Sequence, residues 1–216
     1  MRLYEHITLP ILHSLEPEKA HNLSITALKS NLIPGPGKLT SDRLTVNILG
    51  LNFPNPIGLA AGYDKNAKII PQLMRIGFGF IEVGAVTPKP QSGNPKPRLF
   101  RLDEDLAIVN RLGFNNLGMN DINKRLTLYS GDGIVGLNIG ANKDSINRFN
   151  DYSEVLSHTY NSIDFATINI SSPNTKDLRN LQKTSFLRKL LKSLLETKAN
   201  IPKKIPLFLK VAPDLT

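Results

Sequence analysis

Apolar residues recur along this chain in short runs of two kinds, separated by breaks rich in Gly, Pro and Asn. Leu3, Ile7, Ile11 and Leu15 stand four apart, with Tyr4 and Leu12 alongside, and predict an amphipathic helix over 3–15 that Pro10 kinks or breaks. Glu16-Pro17-Glu18 opens a second helix with proline and acids in its first turn, and Ala20, Leu23, Ala27 and Leu28 form its stripe. Pro34-Gly35-Pro36-Gly37 then reads as a linker. Beyond it, 44–49 and 51–53 flank Gly50 as a hairpin, and strands are expected over 56–62, 80–87, 134–140, 165–171 and 206–213. Helical spacing over 67–75, 117–129, 152–161 and 184–198 falls between those strands. A second hairpin is expected from 98–101 against 107–109, turning at Asp103-Glu104-Asp105.

Strand and helix alternating at this rhythm predict parallel β-structure with crossover helices. Polar residues collect near the strand ends, at Lys65, Asn138, Asn169 and Lys210. Several strands sending polar groups to one face point to an α/β fold of the (β/α)8 TIM type. The open dinucleotide-binding alternative lacks its Gly-x-Gly-x-x-Gly after the first strand. Two units are expected, a helical extension over 1–37 and barrel over 38–216. A complete barrel takes eight strands and about 250 residues, whereas five are legible here. The chain is therefore expected to be the amino-terminal portion of a barrel, with Asp214-Leu215-Thr216 starting the next helix. Phosphate sites in such barrels come from the last strands' loops, so any phosphate-bearing ligand would lack its anchor. Alone, the chain is expected to be a poor enzyme or none.

The stretch from Phe165 to Thr175 concentrates the chemistry. Phe165, Ala166, Ile168 and Ile170 suit a buried parallel strand, and Ser171-Ser172-Pro173-Asn174-Thr175 ends it. Asn169, Ser172 and Asn174 then gather at a strand's carboxyl end, where α/β folds place their sites. The same residues also make an ordinary Asx-type turn, but an amide inside an apolar run needs partners. Composition narrows the classes. The 216 residues are 40% hydrophobic and 21% charged, as in ordinary soluble domains. No cysteine is present, which removes disulfides, thiolate metal sites and a cysteine nucleophile, and no metal site is expected. The net charge of +9 is spread along the chain and suits anionic small molecules or anionic lipid. Nucleic acid is not expected as a partner, because no recognition motif accompanies the charge. No apolar run is long enough to span a bilayer, and the first residues do not form a signal peptide.

Five motifs stand in order: Gly58-Leu59-Ala60-Ala61-Gly62 with Asp64-Lys65, then Asn110-Arg111-Leu112-Gly113-Phe114-Asn115-Asn116, Asn138-Ile139-Gly140, Asn169 to Thr175, and Lys210-Val211-Ala212-Pro213-Asp214. On these motifs, from Leu15-Glu16-Pro17-Glu18-Lys19-Ala20-His21 onward, the chain strongly resembles the dihydroorotate dehydrogenases, and specifically their membrane-associated, quinone-using class. The resemblance implies FMN-dependent oxidation of dihydroorotate to orotate in pyrimidine synthesis, with a quinone as acceptor. It implies Ser172 as the base that takes the C5 proton while C6 gives a hydride to the flavin. Thr175 and Phe114 match residues that shape the proton's onward path. Lys65, Asn110 and Asn174 match orotate contacts, with Arg111, Leu112, Gly113 and Phe114 in the same substrate loop. Ala61, Gly62, Tyr63, Asp64, Lys65, Ala85, Asn138, Asn169 and Lys210 match the flavin-binding positions. Ala85 stands where some relatives have threonine.

The soluble class carries cysteine at the position of Ser172, so Ser172 and the two leading helices both indicate the quinone class. The implied location is peripheral, on the cytoplasmic face of the inner membrane, with the extension serving quinone and lipid. One alternative is an inactive remnant acting at most as a membrane-surface or interaction module. Another is a flavin barrel with different chemistry, which Ser172 and Asn174 in their matched context disfavour.

Overall fold

The structure is a computed structural model that describes residues 4–31 and 33–214. The expected helix start at Leu3, and Leu215 and Thr216 of the helix expected from Asp214, lie outside the described residues. Instead of one helix, Tyr4–Thr8 winds as a π-helix and passes directly into α1, Leu9–Ser14. Pro10 sits in the first turn of α1, where its missing N–H leaves no bond unmade, so it marks a change of winding. Helix α2 runs Pro17–Lys29, and the Glu16 carboxylate caps it by accepting from the Glu18 and Lys19 amides at 3.0 and 2.9 Å. Leu28 joins the main core, so α2 packs against the body rather than standing apart from it.

Strands β1, Val46–Ile48, and β2, Leu51–Phe53, form the first hairpin. Leu49 and Gly50 both take positive φ, 51° and 82°, which is the mirror-image turn that a two-residue hairpin loop needs. The expected strand over 56–62 shrinks to β3, Gly58–Leu59, because the chain turns into the loop carrying Lys65 immediately afterwards. Next come α3, Ile70–Ile76; β4, Phe80–Val86; and the second hairpin, β5, Leu99–Leu102, with β6, Ala107–Asn110. The remaining units are α4, Gly118–Thr127; β7, Ile134–Ile139; α5, Arg148–Thr159; β8, Phe165–Asn169; α6, Thr184–Asn200; and β9, Leu207–Lys210. Helix α5 begins earlier than expected because the Asn147 side chain accepts from the Asn150 amide and caps it. A 3-10 turn at Leu178–Gln182, absent from the expectation, buries Leu178 and Leu181.

The five main strands make one parallel sheet in the order β3-β4-β7-β8-β9. Each new strand adds beside the last, so the sheet grows as an arc with α3 to α6 on one side. Ile81, Val83, Leu137, Ile139, Ala166 and Ile168 are fully buried, and they meet Leu73, Ile122, Leu156 and Leu190 from the helices. Such two-sided burial is why β8 is buried at every position and mostly apolar.

The other end of the strands is closed by aromatics. Phe53, Phe80, Phe165 and Phe208 run edge to face with centroids 5.2, 6.1 and 5.4 Å apart in sequence. Gly58 lies opposite Phe80, and Gly136 opposite Phe165, on the neighbouring strand. A Cβ on either glycine would fall inside the facing ring. These glycines serve packing at the sheet's floor.

Candidate active site

The carboxyl ends of the strands surround a cavity of about 380 Å³, a size suited to a small planar ligand. Ala61, Gly62 and Lys65 line it from the loop after β3, and Ala85 from β4. Asn138 comes from β7, Asn169 from β8 and Lys210 from β9. The end of β6 adds Asn110, the segment after it Leu112, Gly113 and Phe114, and the loop after β8 Ser172 and Asn174. Residues scattered over 150 positions of sequence thus converge because every parallel strand points the same way.

Strand β8 ends where Asn169 turns its own side chain on the backbone. Its Oδ1 accepts from the Ser171 amide at 3.1 Å and from the Ser171 hydroxyl at 3.0 Å. The ladder stops there, before Pro173, which is earlier than the proline alone would require. Its Nδ2 donates to Asn138 Oδ1 at 2.9 Å, and Asn138 Nδ2 donates to Glu82 Oε1 at 2.8 Å. A carboxylate only accepts, so Glu82 fixes which way round both amides stand. Glu82 was missed in the sequence, although a lone acid in an otherwise apolar strand is its signal.

Ser172 Oγ accepts the Asn174 amide at 3.2 Å. Asn174 Nδ2 donates to Asn110 Oδ1 at 3.1 Å, bringing two of the expected substrate amides together across the cavity. Thr175 does not line the cavity. It is buried behind the loop, and its hydroxyl has no hydrogen-bond partner, an uncommon state for a buried polar group. Arg179, also unforeseen, lines the cavity and braces the same loop, donating to the Ser171 carbonyl at 2.9 Å and to Asp214 at 3.0 Å.

Phe114 takes φ of 54°, a strained conformation for a residue with a side chain. The Gln91 side-chain amide holds it there, donating to the Gly113 and Phe114 carbonyls at 3.1 Å each. Lys65 donates to the Gly62 carbonyl at 2.6 Å, and burial holds its pKa below the ordinary lysine value. Nearby Glu18 and Asp64 oppose that shift and Arg98 adds to it.

Three expected site residues have other occupations. Arg111 is exposed and donates from Nε and Nη2 to the Pro97 carbonyl, at 3.1 and 2.8 Å, away from the cavity. The Asp64 carboxylate accepts from the Lys68 and Ile69 amides, both at 2.8 Å, and so organises the approach to α3. The Tyr63 hydroxyl pairs with Ser24 Oγ at 2.8 Å, and His21 meets its ring edge-on at 5.1 Å, which joins the loop to α2. Asn142 and Asn116, polar residues of the same loops, are consumed in structural bonds to Thr87 and Lys89.

A second cavity of about 270 Å³ lies between α2 and this loop, with Glu18, His21, Ile25 and Tyr63 among its walls. Gly62, Lys65, Leu112 and Asn115 line both cavities. Asn115 Oδ1 is buried there without a partner. Among the described residues, no group of three or more His, Asp or Glu is placed to hold a metal ion.

The family model for dihydroorotate dehydrogenase matches residues 43–216. The chain belongs to the dihydroorotate dehydrogenase family. Within it, the chain is 53% identical over 217 residues to a protein of Cereibacter sphaeroides named dihydroorotate dehydrogenase (quinone), covering all of this chain and 61% of that protein. A Bartonella tribocorum protein of the same name is 50% identical over 220 residues, again with 61% of its length covered. A ligand-free dihydroorotate dehydrogenase structure from Eimeria tenella superposes with a TM-score of 0.88 at 41% identity, covering 93% of this chain and 62% of that one. The fold is thus that of the TIM-barrel dihydroorotate dehydrogenases, and the chain spans about three fifths of the length of the relatives it matches. Its five-stranded arc corresponds to the expected portion of that barrel.

Proposed function

We propose that this chain carries the substrate-facing part of an FMN-dependent oxidation of dihydroorotate to orotate in pyrimidine synthesis, with a membrane quinone as final acceptor. The observation that carries this reading is the convergence of Ser172, Asn110 and Asn174 on one cavity with Asn138, Asn169 and Lys210. The residues suit a flavin. Small residues at Ala61, Gly62 and Ala85 leave a flat wall, and a Cβ added to Gly62 would meet open space. Amides oriented by Glu82 offer donors and acceptors to a ring dione, and Lys210 offers a cation for its anionic side. FMN, when bound, supplies the acceptor for the C6 hydride.

The remaining work belongs to the chain. Lys65 pairs with the substrate carboxylate, and Asn110 and Asn174 bond its ring amides. Ser172 Oγ takes the C5 proton. A serine is a weak base, so its own proton must move on as it accepts another. We assign the Thr175 hydroxyl, three residues along the same loop and without a hydrogen-bond partner, to receive it while releasing its own proton towards solvent. Gly62, Lys65 and Leu112, shared by both cavities, place the second cavity beside the first, and we assign the second to the quinone. Ile7, Ile11 and Leu23 on the extension are exposed. No helix among the described residues is long and apolar enough to cross a membrane. These side chains suit a peripheral footing on the cytoplasmic face of the inner membrane.

Anaerobic mixing of dihydroorotate and FMN with the chain extended to a complete barrel tests the reading, since the 216 residues alone are expected to be a poor enzyme or none. Flavin absorbance should bleach, and Ser172→Ala should slow the bleaching at least about a hundredfold, the usual reach of a general base. Equal rates in the two proteins would remove Ser172 from the chemistry, and no bleaching by the complete barrel would overturn the dehydrogenase reading.

A further inference from the structure

We propose that Asn94 is a positioning residue that sets the spacing between the two walls of the substrate cavity and ties both walls to the amino-terminal extension. This rests on the reading above only in taking the Ser172 loop as the one that meets substrate. Asn94 lies in the polar, proline-rich segment between β4 and β5 and has no place in the cavity's lining. Its side-chain NH2 donates at 2.9 Å to the Arg111 carbonyl and at 3.1 Å to the Asn174 carbonyl. One group therefore holds a carbonyl from each of the two loops that carry the substrate amides. Its backbone amide adds a bond to the Leu112 carbonyl at 3.0 Å. Gly113 approaches so closely that a Cβ there would stand 2.9 Å from the Asn94 amide.

Asn94 is itself held from behind. Its carbonyl accepts from Arg98 Nη1 at 2.9 Å, and the same nitrogen bonds the Ser92 carbonyl. The rest of the Arg98 guanidinium forms a two-pronged pair with Glu18 of α2, at 2.6 and 3.1 Å. Both side chains are largely shut off from water, at 8% and 11% exposure, so the pair is firm compared with a surface bridge. An unbroken series of bonds thus runs from α2 through Arg98 and Asn94 to Asn174, the residue whose amide bonds Ser172 Oγ. Displacing α2 pulls on the loop that holds the serine. Asn94 does no chemistry in this arrangement. It fixes how far Asn110 and Leu112 stand from Ser172 and Asn174.

Amide hydrogen exchange of the 216-residue chain, read peptide by peptide, tests this without requiring activity. Asn94→Ala removes two hydrogen bonds worth about 1 kcal/mol each. Exchange at 111–114 and 172–175 should therefore quicken by about five- to thirtyfold. Peptides from β7 and β8 should keep their wild-type rates. Glu18→Gln, which leaves Asn94 intact, should quicken the same two loops by a smaller factor. Unchanged loop exchange in Asn94→Ala would overturn the proposal, and so would quickening that spreads equally through β7 and β8, since that is mere loss of stability. Orotate added to the wild-type chain separates the two readings. Loops loosened by Asn94→Ala in a chain whose exchange orotate does not slow would uphold the positioning role and sink the substrate assignment. Slowing by orotate with no effect of Asn94→Ala would do the reverse.

Discussion

The Tyr152 hydroxyl donates to the Asn169 carbonyl at 2.8 Å, joining α5 to the last residue of β8 inside the core. The side chain has no exposed surface, and burial drives its pKa upward, so the hydroxyl keeps its proton as a fixed donor. Asn169 is thereby held from the helix side while its amide works in the cavity. Tyr152→Phe removes the donor and leaves a buried carbonyl short of a partner. We expect a loss of about 1–2 kcal/mol in urea unfolding, with FMN binding weakened as Asn169 loosens. A loss smaller than about 0.5 kcal/mol would mean that the carbonyl finds another donor.

Much of the site was legible because β8 and β9 end at polar residues and β7 carries Asn138 one residue before its end. Lys210 and Asn169 stop apolar runs, and the Asn110–Asn116 stretch is too polar to belong to the core. Roles were less legible than positions. The Asp64 carboxylate is spent on the Lys68 and Ile69 amides, which depends on a turn geometry that its neighbours do not announce. Glu18 and Arg98 are 80 positions apart, and nothing local marks them as partners. Gln91 and Asn94 sit in a stretch whose composition says only loop. Their importance comes from two other loops passing beside them.

Gly140 gives a steric test of the cavity wall. A Cβ there would stand 2.8 Å from the Phe114 ring, while its backbone conformation accepts any residue. Gly140→Ala should therefore act only through Phe114. Overpacking of this kind costs about 1–3 kcal/mol, and orotate affinity should fall alongside the melting temperature. Unchanged affinity would show that Phe114 can shift without disturbing the substrate.

Lys65 should make substrate affinity depend on pH. Burial depresses its pKa below the ordinary 10.5, so the charged form is disfavoured in the free protein. Folding therefore gives up some stability at low pH and regains it as pH rises through the depressed value. A bound carboxylate favours the ammonium, so binding holds a proton on Lys65. Orotate affinity should be level at neutral pH and fall, by up to about tenfold per unit, once pH exceeds the free lysine's pKa. Calorimetric titrations from pH 7 to 10.5 measure this, and Lys65→Met should abolish the slope while weakening binding about ten- to a hundredfold. A level profile in the wild type would assign the carboxylate to another cation.

The Glu18–Arg98 pair predicts an acid-sensitive extension. Hydrogen bonding to Arg98 is the main cause that holds the Glu18 carboxyl below its usual 4.5, with burial opposing it. A depressed acid pKa stabilises the fold fully above the unfolded value, and that stability drains as pH falls through the folded one. Glu18→Gln should cost about 2 kcal/mol at pH 7. The gap from wild type should close as pH drops from about 5 to below the depressed folded value. Parallel melting curves at all pH values would show that the ion pair contributes nothing net.

The floor of the sheet bears on how this sequence can drift. Gly58 and Phe80 are distant in the chain yet occupy one space, as do Gly136 and Phe165. A side chain on either glycine requires the facing ring to shrink, and a smaller ring leaves a hole that only a side chain on the glycine can fill. Single steps away from either pairing pass through a crowded or hollow intermediate. Each couple therefore travels through descent as one character written at two addresses, and change at one should be found only with change at the other.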